Sequence, residues 1–302
     1  MNPSGLPSND EAASAREADT KRSTWVSVAV NIGLTISQVV AGIVSGSQGL
    51  IADGIHSLSD LVADFVVLIA VQHSRKAPDD DHHYGHHRYE TAASLVLGGL
   101  LLAVGIGMLW SAIHKLGNPD SIAPVQALAL WVALGALVVK EGLFRYMLAV
   151  ATRLRSTMLV ANAWHARSDA ASSLVVAVGI GGSLLGYPLL DPVAALIVGM
   201  MVAKMGWKFT WDALHDLMDR ATDDAQIEAM RGALLATPGV LGVHDLKTRK
   251  MGDMILLDAH LEVDGRLTVR EGHDIAIAAR QRIMSSFPVL NVMTHVDPVD
   301  LP

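Results

Sequence analysis

Residues 49–73 read GLIADGIHSLSDLVADFVVLIAVQH. About 20 residues suffice to cross a bilayer. This run is long enough, yet it carries Asp53, His56, Asp60 and Asp64. Whether it spans the bilayer sets the number of membrane helices. A strict hydropathy count is expected to drop this segment and the equally polar 157–185, leaving four spans. We read both as amphipathic spans, because each has the right length and lies between short Gly/Ser or Gly/Pro turns. With roughly 24–46, 90–114, 123–146 and 190–211 they make six.

The composition agrees with a membrane domain joined to a soluble one. The chain has 302 residues, of which 51% are hydrophobic and 18% charged, against about 25% charged in ordinary soluble proteins. The mean hydropathy is +0.37. Disordered and fibrous classes are excluded. The absence of cysteine excludes disulfides, thiolate metal sites and a cysteine nucleophile. A net charge of −7 offers no strongly basic face, so no nucleic-acid partner is expected.

Residues 1–22 are rich in Ser, Ala, Asp and Glu and hold no apolar core behind a basic start. They read as a solvated, disordered tail rather than a signal peptide. Arg16, Lys21, Arg22, Arg75, Lys76, Arg88, Arg145, Arg153, Arg155, Lys204 and Lys208 fall on one side of a six-span chain, and Lys115 on the other. The positive-inside rule then puts both termini in the cytoplasm. The transmembrane domain is expected over 23–212.

From 213 to 302 the composition becomes that of a soluble domain. Helical spacing covers 223–236, after Thr222 as a plausible cap, and 269–286. Alternating apolar positions mark strands at 240–249, 254–263 and 289–296. This α-β-β-α-β order predicts helices on one face of a small sheet. A domain this small buries a modest core, and oligomerisation would help it.

Ionisable groups within a bilayer are costly, on the order of 2.5–3.5 kcal/mol each on insertion scales. Two His/Asp pairs at i, i+4, His56/Asp60 and His165/Asp169, therefore call for an explanation. At 1.5 Å per residue, His56 and Asp60 sit roughly 10 and 16 Å below the outer surface. The fifth span runs the other way, which puts Asp169 and His165 roughly 12 and 18 Å below it. All four share one layer. Two imidazoles and two carboxylates there suit tetrahedral zinc. Asp53 and Asp64 are expected near an access path, and Arg167 is expected to point elsewhere. The glycines of Gly42-x-x-x-Gly46 and around 98–107 read as helix-packing contacts.

Two more histidine-rich regions lie outside the spans. The loop Asp79-Asp-Asp-His82-His-Tyr-Gly-His86-His-Arg88 either binds a divalent metal through Asp79, His82 and His86 or is only polar and flexible. In the soluble domain His244, His260, His273, His295 and Asp297 are either a metal site or scattered surface residues. His295 and Asp297 share one face of a strand. From His215 onward the domain carries 14 Asp/Glu against 9 Lys/Arg, which favours cations.

Taken together, these motifs make the sequence resemble the cation diffusion facilitator family of proton-coupled divalent-metal exporters. HSLSD at 56–60, HARSD at 165–169 and DDDHHYGHHRYE at 79–90 carry the resemblance. PGVLGVHDLKTRKMGD at 238–253 and THVD at 294–297 extend it. The resemblance implies a six-helix membrane domain, a metallochaperone-like cytoplasmic domain and a homodimer. It implies a transport site of His56, Asp60, His165 and Asp169, and a loop site of Asp79, His82 and His86. It also implies a cytoplasmic binuclear site using His244, His260, His295 and Asp297, with His273 close by.

The function expected is exchange of cytoplasmic Zn²⁺ for protons by alternating access, most simply in a bacterial inner membrane. Zinc is both substrate and regulatory ligand in this reading. Fe²⁺, Mn²⁺, Co²⁺, Ni²⁺ or Cd²⁺ could replace it, since donor type biases selectivity without fixing it. A non-transporting metal sensor or scaffold is the other alternative. An enzyme is not expected: no HExxH-type motif is present, and the His/Asp pairs leave no general base.

Overall fold

The computed structural model describes the backbone of residues 9–154 and 157–300. Within that range the side chains of 9–21, 24, 121, 154, 157–159, 161, 162 and 165 lie outside the description. Six long helices come first: α1 Asn9–Ser45, α2 Gln48–Ser74, α3 Arg88–Gly117, α4 Ala127–Leu154, α5 Thr157–Leu184 and α6 Leu190–Leu217. Then follow α7 Asp224–Leu235, β1 Gly242–Met251, β2 Met254–Asp264, α8 Val269–Ser286 and β3 Val289–Val299. The chain forms two compact units. One is built on the segments up to Phe65 and Leu100–Trp207, the other on Val66–Gly99 and from Lys208 onward.

Among the described residues, α1, α2, α3, α4 and α6 are long and apolar enough to cross a membrane. The polar segment 49–73 is among them. Helix α5 has 28 residues, about 42 Å at 1.5 Å per residue, which is the length a span requires. The protein is therefore an integral membrane protein. Helix α1 starts at Asn9, upstream of the expected 24, because AASAREADTKR contains mostly good helix formers.

The first unit is held by small and branched side chains: Ala41, Leu50, Ala52, Ala129, Ala133, Val176, Ile180 and Val198. Small residues permit close helix contact where lipid supplies no hydrophobic drive. At Gly105 of α3 an added Cβ would sit 2.5 Å from the Ala203 backbone nitrogen of α6. At Gly42 it would sit 2.7 Å from Ile51 Cγ1. Gly42 and Gly105 are thus close-approach points, whereas a Cβ at Gly46 would meet only ordinary contacts at 3.8 Å and one at Gly99 or Gly107 would meet nothing within 4 Å. Its helices carry Trp25, Ile43, Trp110, Trp131 and Val178, all exposed, as side chains that face lipid would be.

The soluble domain is a three-stranded sheet in the order β1-β2-β3. β1 pairs antiparallel with β2, and β2 pairs parallel with β3 through the α8 crossover. Ile255, Leu257, Ala259 and Leu261 alternate along β2 and meet Met230 and Leu234 of α7 and Ile283 of α8. Helix α8 opens with a capping box, Thr268 and Glu271 each bonding the other's backbone. Helix α7 is capped one residue later than expected: Asp223 accepts from the Gln226 amide, while Thr222 Oγ1 bonds the Gln226 side chain instead.

Candidate metal centres

Helix α2 sets His56 and Asp60 on one face, one turn apart. His56 is buried, and its Nδ1 lies 3.5 Å from Asp60 Oδ2. Asp169 of α5 joins them, with ligand atoms of all three within 4.8 Å of one another. The His165 side chain lies outside the described residues; its backbone stands on α5 one turn before Asp169. Beside this cluster is a cavity of about 20 Å³ lined by Asn31, Ser57, Asp60, Lys140, Leu143, Ala166 and Asp169. That is room for one water-sized occupant.

Sequence reasoning missed Lys140. It lies in LGALVVKEGLF, inside a span read as plainly apolar. A lysine in such a run was the available signal. Its Nζ reaches Asp53 Oδ1 at 3.4 Å, Ser173 Oγ at 2.7 Å and the Asp169 carbonyl at 3.4 Å. Asp53 is 1% exposed, so it lines no access path. It accepts from Gln38 Nε2, Ser172 Oγ and Ser173 Oγ besides Lys140. Arg167 does point elsewhere, stacked over Phe144 at 4.9 Å and Trp164 at 5.1 Å. Asp64 is exposed.

Asp191 was missed as well. Its carboxylate accepts from Ser47 Oγ at 2.5 Å and from the amides of Gln48 at 2.7 Å and Gly49 at 3.2 Å. It thereby caps α2 from α6, an arrangement no local motif encodes. This cap anchors the helix that carries His56 and Asp60.

The loop residues form a small cluster. His82 Nδ1 lies 3.1 Å from Asp79 Oδ1, and His86 Nε2 lies 3.4 Å from Asp79 Oδ2. Their rings are 4.3 Å apart, and His86 is buried against Tyr89. Gly85, at φ +77, lets the chain turn between them. Desolvation pushes the Asp79 carboxyl up. Hydrogen bonds from His82 and Lys76, with the nearby His86 charge, outweigh it and hold the group at about 2.

In the soluble domain the register sets His244, His260 and His295 side by side across β1, β2 and β3. Asp297 is their common partner: 3.2 Å from His244 Nε2, 2.9 Å from His260 Nδ1 and 3.1 Å from His295 Nε2. Desolvation raises the Asp297 carboxyl, but the His260 hydrogen bond and the three imidazole charges bring it below its ordinary value. His273 stands apart on α8, lining a groove with Thr268, Gly272, Thr294 and Val296. Two acids not anticipated from the sequence approach His244: Asp245, at φ 47 in a β-bulge, and Glu262, each at 3.8 Å. The bulge that turns Asp245 toward the cluster leaves no simple alternation to read.

Comparison with known proteins follows this architecture. Residues 24–218 match the cation efflux transmembrane domain, and 222–299 match the cation efflux protein cytoplasmic domain. The chain is 36% identical to metal tolerance protein C1 of Arabidopsis thaliana, over 90% of this chain. It spans only 61% of that protein's length. It is 30% identical to the manganese efflux system protein MneS of Bacillus subtilis, covering 91% of this chain and 94% of that one. Among solved structures, a zinc form of the putative zinc transporter CzrB is 31% identical over 26% of this chain and 92% of that one, at a TM-score of 0.25. With two domain matches that together run from residue 24 to 299, the chain belongs to the cation diffusion facilitator family, whose members are transporters and not enzymes.

Proposed function

We propose that this protein exchanges a divalent metal, Zn²⁺ first, for protons across the membrane. One observation carries the reading: His56, Asp60 and Asp169 bring ligand atoms within 4.8 Å on two helices of the membrane domain. His165, one turn from Asp169, is the fourth donor. Imidazole must be neutral and carboxylate ionised to coordinate, so binding metal releases protons. Reversing that exchange on the far side lets protons displace the metal. An imidazole with reference pKa near 6.5 is suited to it. Alternating access then consists of helices rocking around a fixed midplane site.

The Lys/Arg distribution supports cytoplasmic termini and export, in a homodimer seated in a bacterial inner membrane. Metal at the Asp297 cluster shifts the equilibrium between dimer arrangements through differential affinity. The loop of Asp79, His82 and His86 collects metal on the cytoplasmic side. Manganese is the second reading, favoured by the name of the Bacillus subtilis relative and by the two carboxylates, which suit Mn²⁺. Purified protein in liposomes, offered Zn²⁺, Mn²⁺, Fe²⁺, Co²⁺, Ni²⁺ and Cd²⁺ in turn, decides between them. Zinc uptake with counterflow of protons supports the first reading. Manganese transport without zinc transport replaces it with the second. No movement of any ion favours a sensor or scaffold.

A further inference from the structure

The cavity beside the His56 cluster carries a positive charge on its wall. Lys140 is 3% exposed and lines that cavity with Asp60 and Asp169. Its ammonium is tied to Asp53, itself 1% exposed, and to the carbonyl of Asp169. A buried ion pair in lipid is costly to keep, and well-packed apolar residues are often as stable or more so. Helix association alone therefore gives little reason for a lysine here, since serine or glutamine would bridge the same helices.

The charges explain its position. Three carboxylates, Asp53, Asp60 and Asp169, lie on α2 and α5 around the site. A dication balances two of them if the imidazoles are neutral. Lys140 balances the third, and it holds Asp53 in a cage of Gln38, Ser172 and Ser173, so that Asp53 is not a ligand. We infer that Lys140 and Asp53 are a charge-setting pair: they fix the transport site at two net negative charges, which makes it specific for dications and keeps affinity low enough for release. The inference rests on the transport reading above.

Unit charges at this range in a protein interior shift ion affinity by about tenfold or more. Removing Lys140 leaves an excess negative charge, and removing Asp53 an excess positive one. The two single variants must therefore move affinity in opposite directions. A purely structural pair would move it the same way. The test measures initial zinc uptake against zinc concentration in liposomes holding the full chain. Lys140→Gln should lower KM by about tenfold and slow the maximal rate, because release becomes harder. Asp53→Asn should raise KM by about tenfold. The double variant Asp53→Asn/Lys140→Gln should return KM to within about threefold of the parent.

Shifts of the same sign, single variants with unchanged KM, or a double variant no better than Asp53→Asn would each overturn the pair's role. If Lys140→Gln fails to fold, the comparison of Asp53→Asn with the double variant still decides, since the double buries no unpaired charge. Asp60→Asn, run in parallel, separates the two claims. If uptake depends on Asp60 but the KM signs are wrong, only the charge-setting role fails. If the parent moves no divalent ion, or moves zinc without Asp60, the transport reading fails and this role falls with it.

Discussion

His260 Nδ1 lies 2.9 Å from Asp297 Oδ2, a contact made across the parallel β2–β3 pairing. His244 and His295 reach the same carboxylate from either side. One acceptor thus organises three imidazoles. Asp297→Ala in the full chain should weaken zinc binding to the soluble domain by about 10- to 100-fold, the cost of losing a ligand or its orienting partner. Calorimetric titration of the parent and variant measures it. An unchanged affinity would show that the histidines do not form a site.

The same cluster should lose metal as the solution is acidified. Asp297 is already held below its ordinary value, so it stays ionised through the neutral range. Protons compete with the metal for the imidazole nitrogens. Zinc affinity should therefore fall steadily from pH 7.5 to pH 5.5. Titrations at four pH values check this, and a flat profile would contradict it.

Asp79 gives a second pH prediction with a defined window. Its folded value of about 2 lies below the ordinary 3.8. A depressed carboxyl contributes stability that is fully present above the unfolded value and is lost as pH falls through the folded one. The metal-free loop should keep its Asp79–His82 contact at pH 4 and release it near pH 2. The ¹³C carboxyl shift of labelled aspartate, compared with Asp79→Asn for assignment, follows the transition.

Removing the Asp191 cap should cost stability. Asp191→Ala leaves the Gln48 and Gly49 amides and the Ser47 hydroxyl without this acceptor. N-cap losses cost about 0.5–2 kcal/mol. The variant should melt several degrees below the parent in detergent, with its zinc affinity at the Asp297 cluster unchanged. Equal melting temperatures would contradict the role given to Asp191.

The sequence was legible where the chemistry is local. The i, i+4 spacing of His56 and Asp60 needed only one helix to bring them together, and alternation along Ile255–Leu261 needed only one strand. Lys140 and Asp53 are 87 residues apart, and Ser47 and Asp191 are 144 apart, so no window could pair them. Asp245 was hidden by a bulge, and Glu262 by its place one strand over from His244. Asp53 was visible as a charge in a span, but its enclosure by partners on three other helices, α1, α4 and α5, became apparent only in three dimensions.

The central claim is that Asp60 and Asp169 hold the transported ion. The most direct measurement is zinc-driven proton exchange in liposomes containing the parent, Asp60→Ala or Asp169→Ala, with folding checked by gel filtration. The parent should exchange the two ions, and each variant should run no faster than empty liposomes. Normal exchange by either variant would contradict the claim.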